Sequence, residues 1–340
     1  MKLGRSLCLS LSLMMGLICF GCASSSTPEA PAATNLVNGK PIWLNSPQEY
    51  CGKQYWCAVG EGAGMMAAQT NARKNIALML EVSVKSKFQT TSTHQQQATA
   101  QGISGSSSQD ATSVIQEATD QTLQGVTIKE QFSDADSCYA LAMLDRRQAA
   151  ASLQEKIDEL DAQIKSLYST GKRSSFYQML KLLPPRQALA EKVHTLTEHA
   201  VALPISMNEI QKQQRAYEAQ RPAVQIKITS EDISTREKTN IQHLLQQVLS
   251  ENGYQGRSKG AAYQLKVSGD ARPEHLKVEG FVKYSYHLTL KTERLSDQTA
   301  LGSLEVAATA TGRNTKDVWA QAEKELYQKL NQDFLALNLD

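Results

Sequence analysis

An apolar run from Leu7 to Phe20, preceded by Lys2 and Arg5 and stopped by Gly21-Cys22-Ala23-Ser24-Ser25, decides where folding can begin. A basic start, a short apolar stretch and a small-residue stop are the layout of a secretory signal segment, which is removed and adds nothing to a core. The run is shorter than the roughly 20 apolar residues that a membrane-spanning helix needs. The Ser/Thr/Pro sequence after it carries no stop-transfer pattern. Residues 1–21 are therefore expected to be cleaved, and the folded protein to lie downstream, outside the cytoplasm.

Gly21-Cys22 closing such a run and opening a polar tether resembles the bacterial lipobox, whose cysteine thiol takes a diacylglyceryl group and becomes the mature N-terminus. Cys22 is the expected lipidation site; Cys19 stands three before it, where that motif usually has Leu. Ala23 replaces the Asp that in many bacteria retains lipoproteins at the inner membrane, which points to the outer membrane, facing the periplasm. Two or three acyl chains, at about 0.8 kcal/mol per buried CH2, hold a protein there without help from its surface. The outer membrane, reached through this lipid, is thus one expected partner. Residues 22–40, rich in Ser, Ala, Pro and Thr, read as a flexible tether.

Loss of Lys2 and Arg5 leaves 34 basic against 34 acidic residues. A neutral chain has no one-signed field to attract phosphate, so nucleic acid is not an expected partner. Of the six cysteines, Cys51, Cys57 and Cys138 remain in an oxidising compartment. One disulfide and one thiol is the simplest account. Gly52 allows a turn that brings Cys51 to Cys57, the preferred pair; Cys57 with Cys138 is the rival, since both lie in strand-like apolar runs.

Period and breakers divide the rest into a domain over 41–150, a helical connector over 151–221 and a second domain over 222–340. In the first, Tyr55 to Val59 reads as a strand, Gly60-Glu61-Gly62-Ala63-Gly64 as a turn, and Met65, Ala68, Ala72, Ile76 and Met79 as a helix stripe. Val82 to Phe88 reads as another strand and 90–108 as a loop, followed by a helix around 111–123 and strands near 125–132 and 138–144. In the connector, Leu153, Ile157, Leu160, Ile164 and Leu167 form one seam. Leu189, Val193, Leu196, Ala200 and Leu203 form another, set apart by Ser169-Thr170-Gly171 and Pro184-Pro185. Two coiled-coil-like seams predict an antiparallel hairpin within the chain; two amphipathic helices on a shared core fit the pattern equally well. In the second domain the order is β-α-β-β-β-α. It includes a capping box at Ser234 to Glu237 and an alternating strand with Tyr284, Tyr286, Leu288 and Leu290 on one face and Lys283, His287 and Lys291 on the other. The fold class expected is α+β, two small two-layer domains joined by the connector.

No residue pattern announces catalysis. The glycines at 60–64 lack both dinucleotide spacing and a P-loop Lys-Ser/Thr, and read as a tight strand-to-helix turn. Glu191 and His194 share a helix face, but a di-metal bundle needs two such motifs. His94, His199, His243, His275 and His287 are scattered. Lys283, His287 and Lys291 could meet an acidic partner or a glycan. No catalytic, metal or cofactor residue is expected.

Pro41-Ile42-Trp43, Tyr55-Trp-Cys-Ala-Val-Gly-Glu-Gly62, the alanine-rich helix over 67–80 and Tyr139-Ala-Leu-Ala-Met-Leu-Asp-Arg146 together resemble the LPP-twenty lipoprotein family. That family consists of envelope lipoproteins and includes flagellar basal-disk lipoproteins. The resemblance covers about residues 40–150 and implies a small α+β domain, envelope protein partners with self-assembly among them, and no catalytic residues to carry over. The expected function is a non-enzymatic, outer-membrane-anchored lipoprotein with a structural or assembly role. The alternative is a regulatory binding module that activates a cell-wall enzyme.

Overall fold

The computed structural model describes residues 36–37, 39–81, 107–276 and 278–340. The signal segment, Cys22, most of the tether, the strand expected over 82–88 and most of the loop after it lie outside these residues. The chain divides into a unit ending at Ile42 and a unit over Trp43–Asp340. In the first unit, β1 (Leu36–Val37) pairs antiparallel with β2 (Lys40–Pro41). Everything below concerns the second unit.

Its first sheet has the order β3-β5-β4, with β3 spanning Tyr55–Gly62, β4 Thr127–Ser133 and β5 Cys138–Asp145, all antiparallel. Helix α2, over residues 65–81, covers one face through Ala68, Ala72, Ile76 and Leu80, each fully buried. Small side chains bring helix and strand backbones so close that a Cβ on Gly60 would sit 2.0 Å from the Ala72 nitrogen and 2.3 Å from the Ala68 oxygen. None of Gly60, Gly62 and Gly64 takes a positive φ. This corrects the reading of the glycines: at 60 and 62 they serve helix-to-strand approach, and no turn requires them.

Among the described residues, the outer edge of β3 is met by side chains and by no strand. Gln48 donates to the Tyr55 carbonyl at 2.6 Å and accepts from the Cys57 N–H, Asn75 donates to the Val59 carbonyl, and Asn71 to that of Glu61. Gln48 belongs to the short helix α1 (Pro47–Cys51). An edge so occupied cannot template pairing with another chain.

Helix α3 (Ser107–Gln124) begins earlier than the sequence pattern suggests. Helices α4 (Arg146–Ser169) and α5 (Arg173–Thr197) then fold back on each other across Thr170-Gly171-Lys172. Arg146 donates to the Leu196 carbonyl and Arg186 meets Asp161, so the pair is antiparallel. The sequence places Pro184 and Pro185 in the break between the two seams, yet α5 starts before them at Arg173 and runs through both. Each proline removes one helical N–H, at about 3 kcal/mol in an isolated helix interior. Burial of Phe176, Met179, Leu189, Val193 and Leu196 along the same helix offsets that cost. The second seam is also shorter than expected: α5 ends at Thr197, with Glu198 in a left-handed conformation at φ 66, so Ala200 and Leu203 are not helical. Leu153, Ile157 and Leu160 of α4 share one buried cluster with Leu189, Val193 and Leu196 of α5 and with Ala68, Ala72, Ile76 and Leu80 of α2. The hairpin therefore completes the core of the first sheet. Helix α6 (Met207–Ala219), closed by a Ser206/Glu209 capping box, follows.

The second sheet has the order β10-β9-β8-β6-β7: β6 is Ala223–Ile228, β7 Gln255–Gly256, β8 Ala261–Glu274, β9 Val282–Arg294 and β10 Ala300–Gly312. Strand β6 runs parallel to β7 and β8, and β8, β9 and β10 are antiparallel neighbours. The two-residue β7 is an addition to the expected order. Helices α7 (Thr235–Glu251) and α8 (Thr315–Gln332) bury Leu244, Leu245, Val248, Ala322, Leu326 and Leu330 against Leu265, Val267, Leu288, Leu290 and Val306. Among the described residues, no helix packs on the other face of the sheet.

Polar contacts join the hairpin to this second core. Gln178 donates to Asn252 Oδ1 at 2.8 Å and to the Asn331 carbonyl, while Lys181 donates to Asn331 Oδ1 at 2.8 Å. The Asp340 carboxylate accepts from the N–H groups of Arg173 and Ser174, which open α5, and from the Tyr254 hydroxyl at 2.7 Å. Helix α5 is thus capped from a point distant in sequence, since its own N-cap Lys172 supplies no side-chain bond. Burial, with the Asp340 charge next, pushes the Tyr254 phenol up, so it stays protonated throughout the ordinary pH range.

Candidate functional site

Cys51 and Cys57 are joined by a disulfide with Cα atoms 6.3 Å apart, closing the turn at Gly52, where φ is 75. Trp43, only 1% exposed, packs with Cys57 and Leu141 over the sheet face opposite α2. The rival pair is separated by register. Cys57 lies opposite Met143 and Cys138 opposite Gly62, which puts them five positions apart along the strands, roughly 17 Å. They also face opposite sides, since Cys138 packs with the α2 cluster. Cys138 keeps its thiol and accepts from the Ser133 hydroxyl at 3.3 Å. A peptide digest of the non-reduced protein should yield linked Cys51 and Cys57, with Cys138 alkylated only after unfolding. A linked Cys57–Cys138 peptide would require a different strand register.

The helix-face pair does not assemble into a site. Glu191 accepts from Gln187 at 2.9 Å, and His194 buries its Nδ1 with no hydrogen-bond partner. His199 turns back onto the Thr197 carbonyl. Among the described residues no group of three or more His, Cys, Asp or Glu could hold a metal ion. His94 lies outside the described residues.

Two buried cations stand out beside these. Arg186, fully buried, donates Nε and Nη2 to the two oxygens of Asp161 at 2.9 and 3.1 Å and reaches the carbonyls of Val201 and Ala202. It fastens the chain leaving α5 to α4. Lys192, 3% exposed, donates to the Thr119 hydroxyl of α3, and burial draws its pKa down while Glu81 and Asp120 oppose the shift. Arg186 ties α5 to α4 and Lys192 ties α5 to α3.

The open face of the second sheet is the remaining candidate. Of the three residues read there from the sequence, Lys283 is ion-paired with Glu274, whose carboxyl it holds below the usual range. His287 stands opposite Asp270, which Arg272 already pairs at 3.2 Å. Lys291 differs: its neighbour across the ladder is Lys266, and that of Lys266 on the far side is Lys227. Three lysines thus form one row across β6, β8 and β9. Lys227 and Lys266 escaped the sequence reading, although a signal existed. Val224-Gln-Ile-Lys-Ile228 and Tyr263-Gln-Leu-Lys-Val267 repeat one pattern of apolar, Gln, apolar, Lys, apolar, and the structure pairs them Gln to Gln and Lys to Lys.

Residues 41–145, the part of the chain that carries β3, α2, β4 and β5, match the family model described as LPP20 lipoprotein. No curated protein matches the sequence. Among solved structures, the secreted protein HP1454 of Helicobacter pylori is 13% identical, aligned over 85% of this chain and 100% of its own, with a TM-score of 0.35. A minor lipoprotein of Acinetobacter baumannii is 15% identical over 34% of this chain and 90% of its own, with a TM-score of 0.27. Protein XCC0632 of Xanthomonas campestris is 13% identical over 34% of this chain and 81% of its own, with a TM-score of 0.26. Among the described residues no helix is long and apolar enough to cross a membrane.

Proposed function

We propose that the chain is a non-enzymatic lipoprotein, held in the outer membrane by acyl chains on Cys22 and facing the periplasm, with a structural role in assembling the cell envelope. The observation that carries this reading is the Gly21-Cys22 pair, which closes an apolar signal upstream of the residues that match the LPP20 lipoprotein model. Two further features support it. The two buried cations, Arg186 and Lys192, are committed to helix cross-links, and the second sheet presents an open face. Flagellar neighbours would be its genomic signature, since flagellar basal-disk lipoproteins belong to the family that the first domain resembles. A regulatory binding role is favoured by one observation, the lysine row on the open sheet.

The experiment is to express Cys22→Ser beside the native chain, label with palmitate and separate the membranes. The native protein should take up label and sediment with the outer membrane. The variant should take up none and appear in the soluble periplasmic fraction, a complete shift, because a single thiol carries the anchor. Membrane retention of the unlabelled variant would overturn the anchoring reading.

A further inference from the structure

We propose that the open face of the five-stranded sheet binds an extended acidic glycan, laid across the strands along Lys227, Lys266 and Lys291. The inference goes beyond the anchoring role and stands without it. Side-chain alternation sets the face. Val224, Leu265, Val267, Leu288 and Leu290 are buried beneath α7 and α8, so the residues between them point to the other side. Register then aligns Lys227 with Lys266 and Lys266 with Lys291. Adjacent strands lie about 4.8 Å apart, so the three lysine side chains leave the sheet in one line at that spacing.

Like charges placed directly opposite one another destabilise a sheet. Here only the middle lysine is relieved, by Glu293 at 2.5 Å. Lys227 and Lys291 are exposed. A row that opposes folding and offers cations to solvent fits a ligand that neutralises it.

The surroundings select the ligand class. Gln225 and Gln264 join their amides at 3.1 Å beside the row, and the hydroxyls of Ser268 and Thr289 lie on its other side. Across the outward positions of 225–227, 264–272, 285–293 and 303–311, no apolar side chain is larger than Ala307. A protein interface needs apolar or aromatic anchors at its centre, and a lipid surface needs side chains to insert. This face has neither. Amides and hydroxyls beside a line of cations suit sugar hydroxyls beside carboxylates. Glu305, one strand beyond Thr289, keeps the basic zone narrow, which favours a single extended chain over a duplex.

The test titrates the full chain with polygalacturonate at low salt. The Lys227→Gln/Lys291→Gln variant should bind at least about tenfold more weakly and show a shallower salt dependence. Its melting temperature should stay level or rise, because the like-charge row is relieved. Lys283→Gln, off the row and paired with Glu274, should stay within about twofold of native binding. No measurable binding by the native chain, or equal losses in both variants, would overturn the proposal. So would preferential binding to polyglutamate, which would point to an acidic protein, or to phosphatidylglycerol vesicles, which would point to a membrane.

Discussion

Asp161→Ala is expected to cost about 3–5 kcal/mol of unfolding free energy, a large part of what holds a chain of this kind together. The reason lies in its partner. Arg186 is fully buried, so its charge has to be met by groups inside the protein. With Asp161 present, the charge is met by two oxygens in a fork, and the carbonyls of Val201 and Ala202 take two more of its five donors. Without it, a cation stays between α4 and α5 with two carbonyls for company. Replacing both residues, Asp161→Leu with Arg186→Met, removes the charge along with its counter-charge. That double variant should recover most of the loss, to within about 2 kcal/mol of native. Urea unfolding of the native chain, Asp161→Leu, Arg186→Met and their double variant gives the coupling energy directly. A loss below about 1 kcal/mol for Asp161→Ala would mean that water reaches the guanidinium, and that the pin between the helices is weak.

What the sequence discloses follows from how local each determinant is. The α2 stripe and the Ser234/Glu237 box are local, because a 3.6-residue period and a three-residue reciprocal cap lie within a few positions, although the stripe buries Leu80 in place of the expected Met79, which is exposed. The alternation of Tyr286, Leu288 and Leu290 discloses a half-buried strand for the same reason. Pro184 and Pro185 misled because proline carries a strong local penalty, which the burial of α5 among α2, α3 and α4 outweighs. Helix α6 went unread because it buries a single residue, Ile210, and so has almost no stripe. The cap of α5 by Asp340 and the Gln178/Asn252/Asn331 junction join residues more than seventy positions apart, beyond the reach of any period. The lysine row lies between these cases. Each Gln-x-Lys is visible alone, yet only the parallel register of β6 on β8 turns two motifs into one row.

Gly60→Ala should be about as damaging as the loss of Asp161, and it tests what the glycines at 60–64 are for. The new methyl would enter at 2.0 Å from the Ala72 nitrogen, 2.3 Å from the Ala68 oxygen and 2.7 Å from the Ala72 Cα. All three are backbone atoms, so no rotamer change can make room. Helix α2 would have to lift away from β3. The same helix places Ile76 and Leu80 in the cluster shared with α4 and α5, so lifting it opens that contact as well. Overpacking costs typically 1–3 kcal/mol where side chains can give; with backbone on both sides, about 3 kcal/mol or more is expected. Gly64→Ala supplies the contrast within the same motif. No atom lies within 4 Å of its added Cβ and its φ is not positive, so its effect should stay within about 1 kcal/mol. Thermal and urea unfolding of the two variants separate the explanations. If the glycines served only to turn the chain into α2, Gly64 would be at least as sensitive as Gly60. A large loss at 60 with little change at 64 is the signature of close packing between helix and strand, and equal, small losses would refute it.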